Sequence, residues 1–261
     1  MLVFAASGAG SLVGFVLGLI GGGGSILAVP LLVYGVGVAS PHIAIGTSAV
    51  AVALSALANL AGHARAGNVR WPCALVFSAA GMLGALLGSA LGKAMDGQKL
   101  LLLFGLLMLV IAAAMLLRKP ASGAGFQPLT AASAPTLLPR LLGMGGLVGA
   151  MSGFFGIGGG FLIVPGLMGA ARMPMLLAIG SSLVAVTSFG LTTAVSYAAS
   201  GMVDWPVAGL FVAGGVAGGV LGTALARRLG GNKALLQRVF AGIVAVVGVY
   251  VVVRGGLALL G

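Results

Sequence analysis

Six long apolar runs constrain this chain more than any other feature. They cover about 42–63, 72–92, 100–117, 175–199, 206–226 and 235–253. Each approaches the ~20 residues that a helix needs to cross a bilayer. Hydrocarbon offers no water to a backbone N–H or C=O, so a lipid-exposed stretch of this length must satisfy its amides within a helix. Composition closes off the soluble alternative. The chain is 60% hydrophobic and 6% charged, against roughly 25% charged in a soluble domain. Too little polar side chain is present to cover a water-facing surface. The expected fold is an all-α polytopic membrane protein. Pro41, Pro72, Pro174 and Pro206 stand near the N-terminal ends of four runs, where a missing N–H costs little.

A glycine-rich phrase occurs twice, about 135 residues apart. The first copy reads Gly18-Leu-Ile-Gly-Gly-Gly-Gly-Ser-Ile-Leu-Ala-Val-Pro30, and the second Gly153-Phe-Phe-Gly-Ile-Gly-Gly-Gly-Phe-Leu-Ile-Val-Pro165. The duplication extends further. At a shift of 134 residues, Gly67, Val69, Trp71, Pro72, Gly84, Gly88, Gly97 and Lys99 meet Gly201, Val203, Trp205, Pro206, Gly218, Gly222, Gly231 and Lys233. Upstream, Gly46-Thr47-Ser48 falls on Gly180-Ser181-Ser182, and Asn59 on Thr193. Coincident Trp and Pro indicate internal duplication rather than shared composition. The units are 1–118 and 140–261, joined by a Pro-, Ala-, Ser- and Gly-rich connector, 119–139. Each unit carries one glycine-broken segment, about 8–37 and 141–171, and then three apolar runs. Glycines at three- and four-residue steps (Gly81, Gly84, Gly88, Gly92; Gly215, Gly218, Gly222) allow close helix approach. Such faces suit either intramolecular packing or a homodimer.

Cations choose between two topologies. If each broken segment is one plain span, the copies are parallel and the 13 Lys and Arg divide almost evenly. If each segment enters and leaves on one side, the copies are inverted. Arg65, Arg70, Arg118, Lys119, Arg140, Arg172, Arg227, Arg228, Lys233 and Arg238 then share a side, and Lys93, Lys99 and Arg254 take the other with Asp96 and Asp204. Ten against three satisfies the positive-inside rule, placing the connector in the cytoplasm and both termini outside. Two full spans in place of a re-entrant hairpin give the same count. The same scattered cations, despite a net charge of +11, argue against nucleic acid. Cys73 forms no internal disulfide and no metal cluster, and no cofactor is expected. The first residues lack a basic n-region, so no cleavable signal peptide is expected.

Broken helices offer a specific chemistry. A half-helix starting near Gly24-Ser25 or Gly159-Gly160 presents amides without intrahelical partners and the positive end of its dipole. Two such ends meeting near the midplane would form an anion site made of backbone. The competing reading is a tight bend. The expected binding residues are Gly23, Gly24, Ser25, Gly158, Gly159 and Gly160, with the hydroxyl pairs Thr47-Ser48 and Ser181-Ser182. Those hydroxyls either donate to an oxyanion or bond back to a helix carbonyl. Asn59 and Thr193 are weaker candidates. His42, His63, Arg65 and Arg172 are helix-end residues, topogenic or lining an anion vestibule. Trp71 and Trp205 read as interfacial anchors. No Asp or Glu lies within a run, which disfavours a carboxylate proton relay. An anion leaving a negative interior needs none, since the potential supplies ~2.3 kcal/mol per charge per 100 mV.

The two glycine phrases, with Pro41-His-Ile-Ala-Ile-Gly-Thr-Ser48 and Ala178-Ile-Gly-Ser-Ser182, resemble the duplicated signature of the TauE/SafE family of sulfite and organosulfonate exporters. The likeness covers nearly the whole chain. It implies a multi-pass transporter of the bacterial inner membrane that exports small sulfur oxyanions. By matching position it implies a site at the two glycine turns and the two hydroxyl pairs. Gly22 stands where the second copy has Ile157, so the two turns are not identical. Partners are then a small anion and the lipid bilayer. An anion channel and a non-transporting membrane assembly factor are the rival readings. An intramembrane enzyme is disfavoured, because no carboxylate–histidine or cysteine–histidine set falls at one depth.

Overall fold

A computed structural model describes residues 2–117, 126, 128–156, 160–228 and 233–260, and among these there is no strand. The helices are α1 (Leu2–Ile20), α2 (Ala28–Pro30), α3 (Pro41–Arg65), α4 (Trp71–Ala94), α5 (Gly97–Leu117), α6 (Ala134–Phe155), α7 (Gly160–Ala171), α8 (Met175–Ala198), α9 (Trp205–Arg228) and α10 (Lys233–Leu260). A 3-10 turn, Gly21–Leu27, precedes α2, and a π turn, Leu31–Val36, follows it. Among the described residues, α3, α4, α5, α6, α8 and α9 are long and apolar enough to cross a membrane. Pro41 and Pro72 open α3 and α4 where no N–H is required. The chain is therefore a multi-pass helical membrane protein.

Every major helix pair joins one sequence unit to the other: α1 with α9, α4 with α6, α3 with α8, and α5 with α10. Gly10, Gly14 and Gly18 abut Phe211, Gly215 and Gly219, so α1 and α9 run parallel. Gly145, Gly149 and Gly153 abut Phe77, Gly81 and Ala85, so α6 and α4 do the same. α3 and α8 run antiparallel to each other, and so do α5 and α10. Gly46 lies beside Tyr197 and Met202, and Gly180 beside Asn68, along α3 and α8. Gly105 meets Val251 and Val252, and Gly255 meets Leu102, along α5 and α10. The glycine stripes are consumed in these contacts. A Cβ at Gly84, Gly88 or Gly92 would strike the α6 backbone, and one at Gly218 or Gly222 the α1 backbone. Their use is intramolecular packing, which needs the close approach that only a missing side chain permits.

α3 and α8 form the buried centre of the bundle. α5 and α10 pair with each other at its edge, touching it through contacts such as Phe104 on Phe155, with ring centroids 5.8 Å apart. Each glycine-broken segment is a hairpin that returns to the end where it began. α1, α3 and α9 all begin at the end marked by Met202 and Asp204. α6, α4 and α8 begin at the end marked by Asn68 and Arg70. Lys93, Lys99, Arg254, Asp96 and Asp204 lie at the first end, and Arg65, Arg70, Arg140 and Arg172 at the second.

Three details depart from expectation. α6 begins at Ala134, inside the segment read as connector, because Ser133 and Pro135 start a helix and Pro139 falls early in it. The hairpin arms are unequal, since α1 and α6 are long and the return arms short. The first copy returns through a 3-10 turn rather than an α-helix starting at Gly24-Ser25. Four successive glycines carry little helix propensity, and the tighter turn follows.

Candidate functional site

The second glycine turn is built first from backbone. α6 stops at Phe155 because Gly156 adopts the left-handed conformation, φ 65°, and caps the helix by donating to Gly153 and Ser152 carbonyls. A Cβ there would overlap Ile45 of α3. Ser48 of α3, from the other sequence unit, donates to the Gly156 carbonyl at 3.3 Å and to Ile45 at 2.8 Å. α7 then starts at Gly160. Gly158 and Gly159 lie outside the described residues. Around this turn the polar groups are buried and uncharged. Ser152 stands one turn before Gly156 on α6, and Thr193 on α8 one turn from Gly190, which abuts Ala49 and Ala53. Neither the Ser152 nor the Thr193 hydroxyl has a protein hydrogen-bond partner among the described residues.

The first turn is built differently, as a 3-10 segment with no left-handed glycine among its described residues. Gly23 and Gly24 lie in the turn Gly21–Leu27, and Gly24 folds back onto the α1 backbone between Val13 and Leu17. Ser25 is fully buried beside it. One turn earlier, Gly18 abuts Gly219 and Thr223 of α9, where Thr223 donates to the Asn59 Oδ1 at 3.1 Å. Asn59 in turn donates to the Ser55 carbonyl at 2.9 Å. Ser182 on α8 is buried and donates to Ile179 at 2.7 Å, as Ser48 does to Ile45. Asn59 and Thr193, equivalent by duplication, thus sit near different turns.

The two turns do not share a depth. The body of α7 packs on Gly21–Leu27. Gly153 reaches Ala85, beyond the midpoint of α4, and Gly18 reaches Gly219, beyond the midpoint of α9. Since α4 and α9 start from opposite ends, the turns are displaced to opposite sides of the centre.

The hydroxyl pairs split. Thr47 Oγ1 accepts the Asp204 amide at 2.9 Å, and Ser181 Oγ accepts the Arg70 amide at 2.9 Å. Each thereby pins the loop before α9 or α4. Thr47 and Ser181 sit at opposite ends of the antiparallel α3–α8 pair, on the order of 25 Å apart at 1.5 Å per residue. The expected convergence of all four hydroxyls at one level does not occur. All four are fully buried, but Ser48 and Ser182 bond back to carbonyls of their own helices while Thr47 and Ser181 hold loop amides. Adjacent helical residues point about 100° apart, which is why neighbours in sequence take different roles.

The vestibule candidates are peripheral. Arg65 and Arg172 are exposed at the Arg70 end, and Arg172 adopts φ 50°, a left-handed conformation after α7. His42 is half-buried at the start of α3, near Gly97. His63 is buried near the end of α3. Sequence reasoning passed over Ser78, Ser152 and Tyr197, whose buried oxygens lack a hydrogen-bond partner among the described residues. It also passed over Lys93, which donates to the Ser196 carbonyl at 3.1 Å and to Ser200 at 3.0 Å, closing the C-terminal end of α8. Lone Ser and Tyr in apolar runs carry no periodic signal, so nothing in the sequence separates them from packing residues.

Comparison with known proteins supplies the remaining information. The family model described as Sulfite exporter TauE/SafE matches residues 6–251. A protein of Xylella fastidiosa (strain Temecula1) named "Probable membrane transporter protein" is 54% identical over 97% of this chain and 95% of its own length. One of Haemophilus influenzae with the same name is 30% identical, covering 74% of this chain and 72% of its own. "Probable membrane transporter protein YunE" of Bacillus subtilis is 28% identical, covering 84% and 87%. No solved structure matches.

Proposed function

Because the chain belongs to the TauE/SafE sulfite exporter family, and is by that membership a membrane transporter, we propose that it exports a small sulfur oxyanion, sulfite or a short organosulfonate, from the bacterial cytoplasm across the inner membrane. One observation carries the reading. Each glycine turn is a helix break buried among uncharged donors, and the second is closed by Ser48 from the opposite sequence unit. Such a place suits an anion, because exposed amides and hydroxyls stabilise negative charge without adding a titratable group. A buried hydroxyl without a partner costs about 1–3 kcal/mol. Ser152 and Thr193 are therefore donors left for a solute. We assign one station to Ser48, Ser152, Thr193 and the α7 N-terminus, and the other to Gly24, Ser25, Ser182 and Asn59. Their different depths give the anion two stops, and movement of the hairpins against α3 and α8 would expose them in turn.

The units are proposed to be inverted repeats about an axis in the membrane plane. The antiparallel pairing of α3 with α8 and of α5 with α10 supports this. So do the arginines gathered at the Arg70 end, which the positive-inside rule assigns to the cytoplasm. Tags fused to either terminus should then be labelled from the periplasm in intact cells. A C-terminal tag reachable only after permeabilisation would refute the inversion.

The transport reading is tested in proteoliposomes loaded with sulfite or sulfoacetate. Wild-type protein should release them faster than protein-free vesicles. Thr193→Val should slow release roughly tenfold, as expected for loss of a hydrogen bond to a charged group, with little change in melting temperature because the Thr193 hydroxyl has no partner among the described residues. Release by Thr193→Val at the wild-type rate would remove Thr193 from the site. No release of any sulfur oxyanion by wild type would remove the substrate class.

A further inference from the structure

A second polar site lies away from the glycine turns, at the end marked by Asp204. Val33, Tyr34, Gln98, Arg254 and Leu257 line a cleft of about 310 Å³ between the first hairpin, the start of α5 and the end of α10. Arg254 holds its guanidinium over two rings, 5.9 Å from the centroid of Tyr34 and 6.0 Å from that of Tyr250. Those rings meet edge to face at 5.2 Å. The cation is therefore positioned by aromatic faces rather than by an acid.

Neither acidic side chain of the protein neutralises it. Asp96 accepts the Gln98 and Lys99 amides at 3.1 and 3.0 Å as the N-cap of α5. Asp204 accepts the Val207 amide at 3.0 Å as the N-cap of α9. These are the only two acidic residues in the chain. Arg254 makes no hydrogen bond to any described residue, so its planar fork of donors faces the cleft.

Depth and surroundings identify the ligand. Gly255 abuts Leu102 and Gly105 abuts Val251, so Arg254 sits more than a turn inside the end of α5, where a long cation reaches up toward headgroups. Below it, Val246, Val249 and Val253 form an exposed stripe along α10. A phosphate held at Arg254 would leave its acyl chain lying down that stripe. We propose that this cleft binds the phosphate of an anionic glycerophospholipid, with Arg254 as its charge partner, Gln98 as a neutral donor and the tyrosines as a rigid frame. A small soluble phosphate shares the headgroup chemistry but gains nothing from the valine stripe.

The test uses purified full-length protein in detergent, with native mass spectrometry and melting curves. Added phosphatidylglycerol should appear as a retained lipid and raise the melting temperature, and phosphatidylcholine should do neither. Arg254→Gln should weaken phosphatidylglycerol retention at least roughly fivefold, the size expected for one cation at a lipid surface. Tyr34→Ala should weaken it in the same direction. Lys99→Gln, at the same end but outside the cleft, should leave it intact. Equal losses in Lys99→Gln and Arg254→Gln would mean a diffuse charge effect and overturn the site. Stabilisation by millimolar inorganic phosphate equal to that by phosphatidylglycerol, lost in Arg254→Gln, would reassign the cleft to a free anion and overturn the lipid.

Discussion

Gly156→Val should abolish transport and lower the melting temperature of the purified protein by many degrees. Two separate costs act at this position. Its φ of 65° is left-handed, a conformation that costs a β-branched residue about 1–3 kcal/mol. The new Cβ would also enter the space of Ile45, and overpacking of that kind costs about 1–3 kcal/mol. The costs can be separated. Ile45→Ala should partly restore stability to Gly156→Val by removing the overlap, while the backbone penalty remains. Transport should not return with stability if, as proposed, the anion is received at the α7 N-terminus that this turn positions. A Gly156→Val protein that melts within about a degree of wild type would show that the helix break is not under this constraint. Restored efflux in the double variant would show that the turn geometry is not what transport requires.

The second large effect is expected at the parallel crossing of α4 and α6. A Cβ at Gly149 would meet the backbone of Gly81. Backbone does not move aside as a rotamer does, so the helices must separate along their length. Gly149→Leu should cost at least about 3 kcal/mol, the upper range for overpacking, and should reduce the yield of folded protein. Gly143→Leu is the control, because nothing lies within 4 Å of a Cβ there and the residue faces outward. Thermal unfolding in detergent reads both. Equal melting temperatures for the two variants would mean that the glycine stripe is not a packing device.

Much of the fold is legible in the sequence. The runs 42–63, 72–92, 175–199 and 206–226 become α3 (Pro41–Arg65), α4 (Trp71–Ala94), α8 (Met175–Ala198) and α9 (Trp205–Arg228), each within a few residues. Bilayer-length hydrophobicity and a proline at the first turn are local signals. The second break is equally legible, because Gly156 is demanded by its own φ. The 3-10 form of the first return arm is less so, since four glycines specify loss of helix and not what replaces it. The candidate site is legible only in part. Ser48 and Thr47 are neighbours of similar chemistry, yet Ser48 closes a glycine turn and Thr47 caps a loop. Ser152 and Thr193 stand out only once their surroundings are seen to lack partners.

Sequence alone determined that this chain would be helical, membrane-embedded and duplicated, because those properties depend on run length, polarity and residue identity at a fixed shift. Tertiary structure decided which helix meets which. The stripe at Gly81, Gly84, Gly88 and Gly92 resembles the one at Gly215, Gly218 and Gly222, and either would accept many partners at close range. Only packing of the whole bundle sends α6 to the first and α1 to the second. That exchange between units brings Ser48 to the turn at Gly156 and leaves the two turns at different heights.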